Sequence, residues 1–399
     1  CRWPTMSGDP FGFDEAIDRR QVPALKVHPL VLGPDGGNLF PAGVADMDFC
    51  LAPQVRAALQ ARLDHRVFGY ETLQPGLIPA LTAWMEQRHG WQIDRTHILR
   101  APNVLNALAM AVNLFSDPGA KVIVQPPVFF DFFDILKENG REAVLNPLVL
   151  RDGRYEVDFE DLERRASDPG TQILLLCNPH NPVGRVWQEQ ELRRLGEICL
   201  RHGVLVISDE IHCDLAFVGH RYRPFASLGR GFSENSITCL SPAKSFNIAA
   251  CCAAFTVIPD EGRRQAMLEA NSRLTVNKNN AFANVAMEAA YTSGGPWLEA
   301  ALAYIQGNLA LVQQKLPDLP GVQLIEPEGT FLLWLDFRAL DLDPTDLTGF
   351  LRQKAGWGVT RGRAFGAEGR GFARVNIACR RADLKQALDQ LQIALRTLA

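Results

Sequence analysis

A chain of 399 residues, 47% hydrophobic and 22% charged, can bury a large core and more than one structural unit. Its 32 Gly and 25 Pro are spread without a period, which excludes collagen-like, coiled-coil and disordered classes. A formal net charge of −4 gives no electrostatic footprint for nucleic acid or an acidic membrane. No apolar run reaches the roughly 18 residues of a membrane span, and no signal-like segment opens the chain. Cys1 in place of Met suggests a trimmed start. The nine cysteines are odd in number and lack the close pairing of a zinc site. They read as reduced thiols of a soluble, cytoplasmic protein, with no metal expected.

After an irregular start, residues 53–66 carry Val55, Leu59 and Leu63 on one helical face, with Pro53 suited to the first turn. Helices are predicted from Pro75 to Arg88 and from Asn103 to Phe115, the latter stopped at Asp117-Pro118-Gly119. KVIVQ (121–125) reads as a buried strand, 128–140 as a helix, and AVLNPLVL (143–150) as one further strand. Three more apolar strands follow at 172–177, 204–210 and 236–241, with a helix at 188–202 between the first two, and then CAAFTVI (252–258). From about residue 260 the texture changes to long helices, 260–290 and 296–316. Two strands, a helix near 344–355, the strand FARVNIA and a terminal helix from about 381 close the chain. Alternating strands and helices imply an α/β protein with a largely parallel sheet and a smaller α+β unit.

The chemistry gathers at the C-terminal ends of the apolar strands, the edge where open α/β sheets bind ligands. Three such strands end in Asn178-Pro179-His180-Asn181, in Ser208-Asp209-Glu210, and in Ser241-Pro242-Ala243-Lys244. A lysine amine can form a Schiff base with an aldehyde cofactor, and a carboxylate can keep a pyridine nitrogen protonated. An amide can hold a ring phenolic oxygen, and a serine with the N–H groups of a helix start can hold a phosphate. Pyridoxal phosphate requires that combination.

In this order, NPHNPVG, SDEIHCDL and SPAKSFNIA resemble the fold-type I superfamily of pyridoxal phosphate (PLP) dependent aminotransferases. Within it, VADMDF (44–49), FGY (68–70), PPVFFDFF (126–133), PEGTFLLWLDFR (327–338) and the stretch 365–384 are similar to the MalY/PatB-type cystathionine β-lyase (C–S lyase) branch. The resemblance implies a large PLP-binding domain at 46–290 and a small domain built from 1–45 and 291–399. It implies Lys244 as Schiff-base lysine and proton shuttle, Asp209 as pyridinium partner, Asn181 and His212 near the ring, and Phe129 stacked on it. Ser241 with the backbone of Val104 and Leu105 would hold the phosphate. Arg374, with Asn181 and Ala45, would bind the substrate, Arg374 pairing bidentately with the α-carboxylate. Tyr70 would come from the neighbouring subunit of a homodimer.

This sequence departs from that pattern at several points. Phe129 replaces a tyrosine, Asn103 a glycine, Ala243 a serine, and Cys252 stands where aminotransferases generally have a phosphate-binding arginine. The branch implies α,β-elimination from an S-substituted L-cysteine. Transamination would use the same residues. A decarboxylating, oxidative deamination of an S-alkyl cysteine is a third outcome, motivated by Phe129 and the PNVLNAL loop. A binding protein that keeps only the fold is a fourth reading, but it would be expected to lack Lys244.

Overall fold

The computed structural model describes residues 9–340 and 342–398; Cys1 lies outside them. In chain order the strands are β1 (Phe40–Pro41), β2 (Ile98–Ala101), β3 (Lys121–Val124), β4 (Glu142–Leu145) and β5 (Val149–Arg151). Then come β6 (Arg154–Glu156), β7 (Thr171–Cys177), β8 (Leu205–Asp209), β9 (Ser236–Leu240) and β10 (Ala254–Val257). The last are β11 (Gln323–Ile325), β12 (Leu332–Asp336), β13 (Trp357–Gly358), β14 (Thr360–Arg361) and β15 (Phe372–Asn376).

The main sheet runs β2-β10-β9-β8-β7-β3-β4, and only β10 is antiparallel to its neighbours. Strands β8 and β9 are buried at every residue, and β7 at all but Gln172. Burial on both faces explains why these segments read as continuous apolar runs rather than alternating ones.

Local signals set the helices that cover this sheet. The helix Val104–Phe115 starts where the Asn103 side chain accepts the Asn106 N–H at 2.8 Å. The helix Glu189–His202 opens on a reciprocal capping box of Gln188 and Glu191 and ends at Gly203, φ +68°.

A second, antiparallel sheet has the order β11-β12-β15-β14. Trp334 of β12 and Phe372 of β15 stack with centroids 5.1 Å apart and rings within 5° of parallel. Residues 40–46 lie beside this sheet: β1 pairs with β13 in a separate two-stranded sheet, and the Asn376 amide of β15 donates to the Val44 and Asp46 carbonyls at 2.7 and 2.6 Å. Arg19 binds Asp46 and Asp48 at 2.7 and 2.8 Å, and the buried Lys26 binds Asp48 at 2.7 Å.

Three expectations are corrected. AVLNPLVL is two strands in different sheets: Pro147 supplies no N–H, and the buried Asn146 side chain turns to Asp158 and Asp161. The stretch 260–290 is two helices, Glu261–Arg273 and Ala281–Ser293. Thr275 takes φ +55° between them, and Asn280 caps the second by accepting the Ala283 N–H. The helix expected over 128–140 begins only at Asp131; the Val128 N–H before it donates to the Phe365 carbonyl. The eight cysteines from Cys50 to Cys379 are all free thiols. Among the described residues, no helix is long and apolar enough to cross a membrane.

The turn that feeds β15 has no room for side chains. A Cβ on Gly362 would lie 2.1 Å from the Gly369 carbonyl oxygen and 2.5 Å from that of Phe372. Gly362→Ala should therefore destabilise the protein by about 1–3 kcal/mol, seen as a lower denaturant midpoint. A midpoint equal to wild type would contradict this packing.

Candidate active site

Strands β7, β8 and β9 are neighbours, and Cys177, Asp209 and Cys239 stand level across them. Whatever follows each strand is therefore delivered to one edge. A cavity of about 210 Å³ opens there. Its walls include Ala45, Val104, Leu105, Phe129, Asn181, Asp209, His212, Ser241 and Lys244. Nine of the eleven expected site residues thus line one space.

Arg374 stands beside it, 2% exposed. It donates to the Asn181 amide oxygen at 3.0 Å and to the Gly43 carbonyl at 2.7 Å, and its guanidinium lies 4.9 Å from the Phe365 ring centroid. Its Nε is buried without a partner. Tyr70 is different: it is fully exposed and does not line the cavity of its own chain.

The charged groups of the cavity are buried, and that sets their electrostatics. The Lys244 amine donates to the Ala45 carbonyl at 2.6 Å. Burial, reinforced by Arg374, lowers its pKa from the usual 10.5 to about 8. Burial raises Asp209 to about 6, against one stabilising hydrogen bond from the Ile211 N–H at 3.1 Å. Arg374 falls to about 9 for the same reason. His212, desolvated and facing two cations, falls to about 3 and is neutral in ordinary buffers. Its Nδ1 has no partner.

The Lys244 loop is anchored from behind. Ser245 donates to the buried Asp214 at 2.7 Å, and the same carboxylate accepts from Trp84 at 2.9 Å and lies 2.8 Å from the His89 ring nitrogen. Below Asp209, the fully buried Glu210 accepts from Ser208, Tyr222 and the Phe225 N–H.

The profile of aminotransferase class I and II matches residues 42–391. Cystathionine β-lyase PatB of Bacillus subtilis is 43% identical over 359 residues, covering 90% of this chain and 93% of PatB. Protein MalY of Escherichia coli is 32% identical over 391 residues, covering 97% and 100%. The crystal structure of cystalysin from Treponema denticola, which contains pyridoxal 5'-phosphate, superposes with a TM-score of 0.94 at 32% identity, covering 98% and 100%. The chain belongs to the aminotransferase class I and II family. It is a PLP-dependent enzyme with the fold-type I architecture, a large mostly parallel sheet beside a smaller antiparallel one.

The residues present fit that cofactor. As the first two residues of their helix, Val104 and Leu105 have N–H groups without intrahelical partners, and both line the cavity. Asp209 is a buried carboxylate with no cation bonded to it among the described residues, which a pyridinium N–H would match. The Ser241 hydroxyl donates to the Ala253 carbonyl at 2.7 Å and accepts the Ala243 N–H at 3.2 Å. A phosphate at that position would compete with Ala253 for its proton. Cys252 lines the cavity too, exposed and at φ +44°, where an arginine would bring charge.

Some participants were not singled out from the sequence. The Thr360 hydroxyl shares the Gly43 carbonyl with Arg374, and Asn376 and Asn247 grip the backbone of residues 44–49. Their only sequence signal is an amide inside an apolar strand, or one just after the Lys244 motif.

An amine with a pKa near 8 is nucleophilic where ordinary lysines are not. In cofactor-free protein, acylation of Lys244 followed by peptide mass analysis should rise with a midpoint near pH 8, well below that of surface lysines. A midpoint near 10.5 would contradict the effect of burial on this amine.

Proposed function

We propose that this chain is a carbon–sulfur lyase that catalyses α,β-elimination of an S-substituted L-cysteine, cystathionine-like, to a thiol, pyruvate and ammonia. One observation carries the reading: the 43% identity to a cystathionine β-lyase extends over 90% of a chain whose cavity gathers Lys244, Asp209 and Asn181 beside Arg374.

When bound, PLP supplies an electron sink for the pair left by the broken Cα–H bond. Lys244 would hold the cofactor and, once freed, would take the Cα proton; its lowered pKa makes a larger share of the amine neutral than in an ordinary lysine. Asp209 holds a proton on the pyridine nitrogen, and that pairing relieves its own desolvation. Arg374 exchanges the Gly43 carbonyl for the substrate carboxylate, a better acceptor for its planar fork. Asn181, whose oxygen accepts from Arg374, would have its amide N–H₂ free for the ring oxygen. Phe129 would supply an apolar face for the ring without the hydroxyl that a tyrosine would add, and neutral His212 in the same cavity would add no charge. Ser241 and the N–H groups of Val104 and Leu105 receive the phosphate. Ala45 lends its carbonyl first to Lys244 and then to the substrate amine.

The assembly we propose is a homodimer that places Tyr70 of one protomer at the cavity of the other. Leu63, Val67, Phe68 and Tyr70 are all exposed along one stretch, which supports a covered surface there. We assign 46–290 to the large domain and 1–45 with 291–399 to the small one; the pairing of β1 with β13 supports that grouping. Free thiols support a cytoplasmic location.

Incubated with PLP and cystathionine or simple S-alkyl cysteines, the protein should release thiol, pyruvate and ammonia in equal amounts, and Lys244→Ala should release none. An aminated cofactor that turns over only with an added keto acid would replace this reading by transamination. Aldehyde and CO₂ with oxygen uptake would replace it by oxidative deamination.

Arg374→Lys keeps a charge but loses the fork. Its kcat/KM should fall roughly 100-fold, chiefly through KM. A KM equal to wild type would remove Arg374 from the carboxylate site.

A further inference from the structure

Residues 43–47 belong to no helix or strand, yet every one of their carbonyls accepts a side-chain donor. Gly43 accepts from Arg374 and Thr360 at 2.7 and 2.8 Å, and Val44 from Asn376 at 2.7 Å. Ala45 accepts from Lys244 at 2.6 Å, and Asp46 from Asn376 and Lys26 at 2.6 and 3.2 Å. Met47 accepts from Asn247 and Arg19 at 2.9 and 3.1 Å. Among the described residues, no backbone N–H reaches any of these oxygens. The segment is a strap held by side chains, where a strand would be held by a ladder.

The donors divide by what a ligand does to them. Once Lys244 turns to the cofactor and Arg374 to a substrate carboxylate, Gly43 keeps Thr360, whereas Ala45 keeps no donor among the described residues. Lys26 stays in place on the next peptide. Its Nζ binds the Asp46 carbonyl and, at 2.7 Å, the Asp48 carboxylate, which Arg19 also binds at 2.8 Å. Lys26 is 1% exposed, and burying a lysine is costly. An exposed ion pair would tie residues 19–27 to the molecule without placing a buried amine on the peptide beside Ala45. Resting on the lyase reading above, we propose that Lys26 is a positioning residue: it keeps the Ala45 carbonyl in place for the substrate amine once Lys244 has left it.

The test uses PLP-loaded protein with L-alanine, which has the amine and carboxylate but no leaving group, and with propanoate, which lacks the amine. L-Alanine binding is read from the absorbance of the bound cofactor, propanoate from its competition with L-alanine, and turnover from thiol released by S-methyl-L-cysteine. Lys26→Met should weaken L-alanine about 10-fold, the worth of one hydrogen bond, and leave propanoate within about twofold of wild type. Propanoate is spared because Gly43 keeps Thr360 and Arg374 keeps Asn181. Lys26→Arg should recover most of the affinity. Lys315→Met, which breaks a 2.7 Å ion pair to Asp389 away from the cavity lining, should bind both compounds as wild type does. If Lys26→Met does not fold, Lys26→Gln, which keeps a neutral donor, takes its place with the same expected pattern. Wild-type binding of L-alanine by the Lys26 variant overturns the proposal and leaves Lys26 as a tie for residues 19–27. Equal weakening of both compounds also overturns it, since the loss would then lie with Arg374. An L-alanine pattern that holds in a protein releasing no thiol would keep the role of Lys26 and remove the lyase reading instead.

Discussion

Burial of charge is the constraint on which the site depends. Lys244, Asp209 and Arg374 are enclosed together, and burial penalises the charged form of each. The chain offsets this only in part, with a carbonyl for Lys244, one N–H for Asp209, and an amide oxygen and a carbonyl for Arg374. Each of these partners is neutral. A ligand that brings a protonated ring nitrogen and a carboxylate would put an opposite charge in direct contact with Asp209 and Arg374, which their neutral partners do not. Binding energy for such a ligand is thus stored as poor solvation in its absence.

The fold serves this constraint by bringing three buried strands to one edge. Because β7, β8 and β9 are parallel neighbours in close register, the residues just beyond them are fixed by backbone pairing rather than by loop preference. The Arg374 strand belongs to the other sheet. Its place relative to the first is set by contacts that cross between the two, notably Arg374 to Asn181 and Asn376 to the 44–46 backbone. The chain start is therefore part of the active site wall, with Ala45 facing Lys244.

Much of this was legible in the sequence, for identifiable reasons. Continuous apolar strands ending in Asn, Asp and Lys are visible because burial on both faces erases alternation and leaves the polar ends conspicuous. The sequence could not show Arg374 contacting Asn181, since that distance spans two sheets and 193 residues. The split at Thr275 to Asn280 was missed because composition on both sides favours helix, and only a positive φ and a cap residue mark the break. Pro147 did carry the signal that divides AVLNPLVL. Its missing N–H outweighs the β-prone residues on either side.

Rigidity behind the site completes the argument. A lysine that must release one partner and accept another needs a backbone that does not move with it. Asp214 provides that fixed point by binding Ser245, next in sequence to Lys244, while its other oxygen is held by Trp84 and His89 of the helix Leu77–His89. Glu210 does the same beside Asp209, accepting from Ser208, Tyr222 and the Phe225 backbone. Both carboxylates are multiply bonded, whereas Asp209, equally buried, accepts a single backbone N–H. Within the site, the carboxylates with several donors hold the frame, and the one with a single donor is left to meet the ligand.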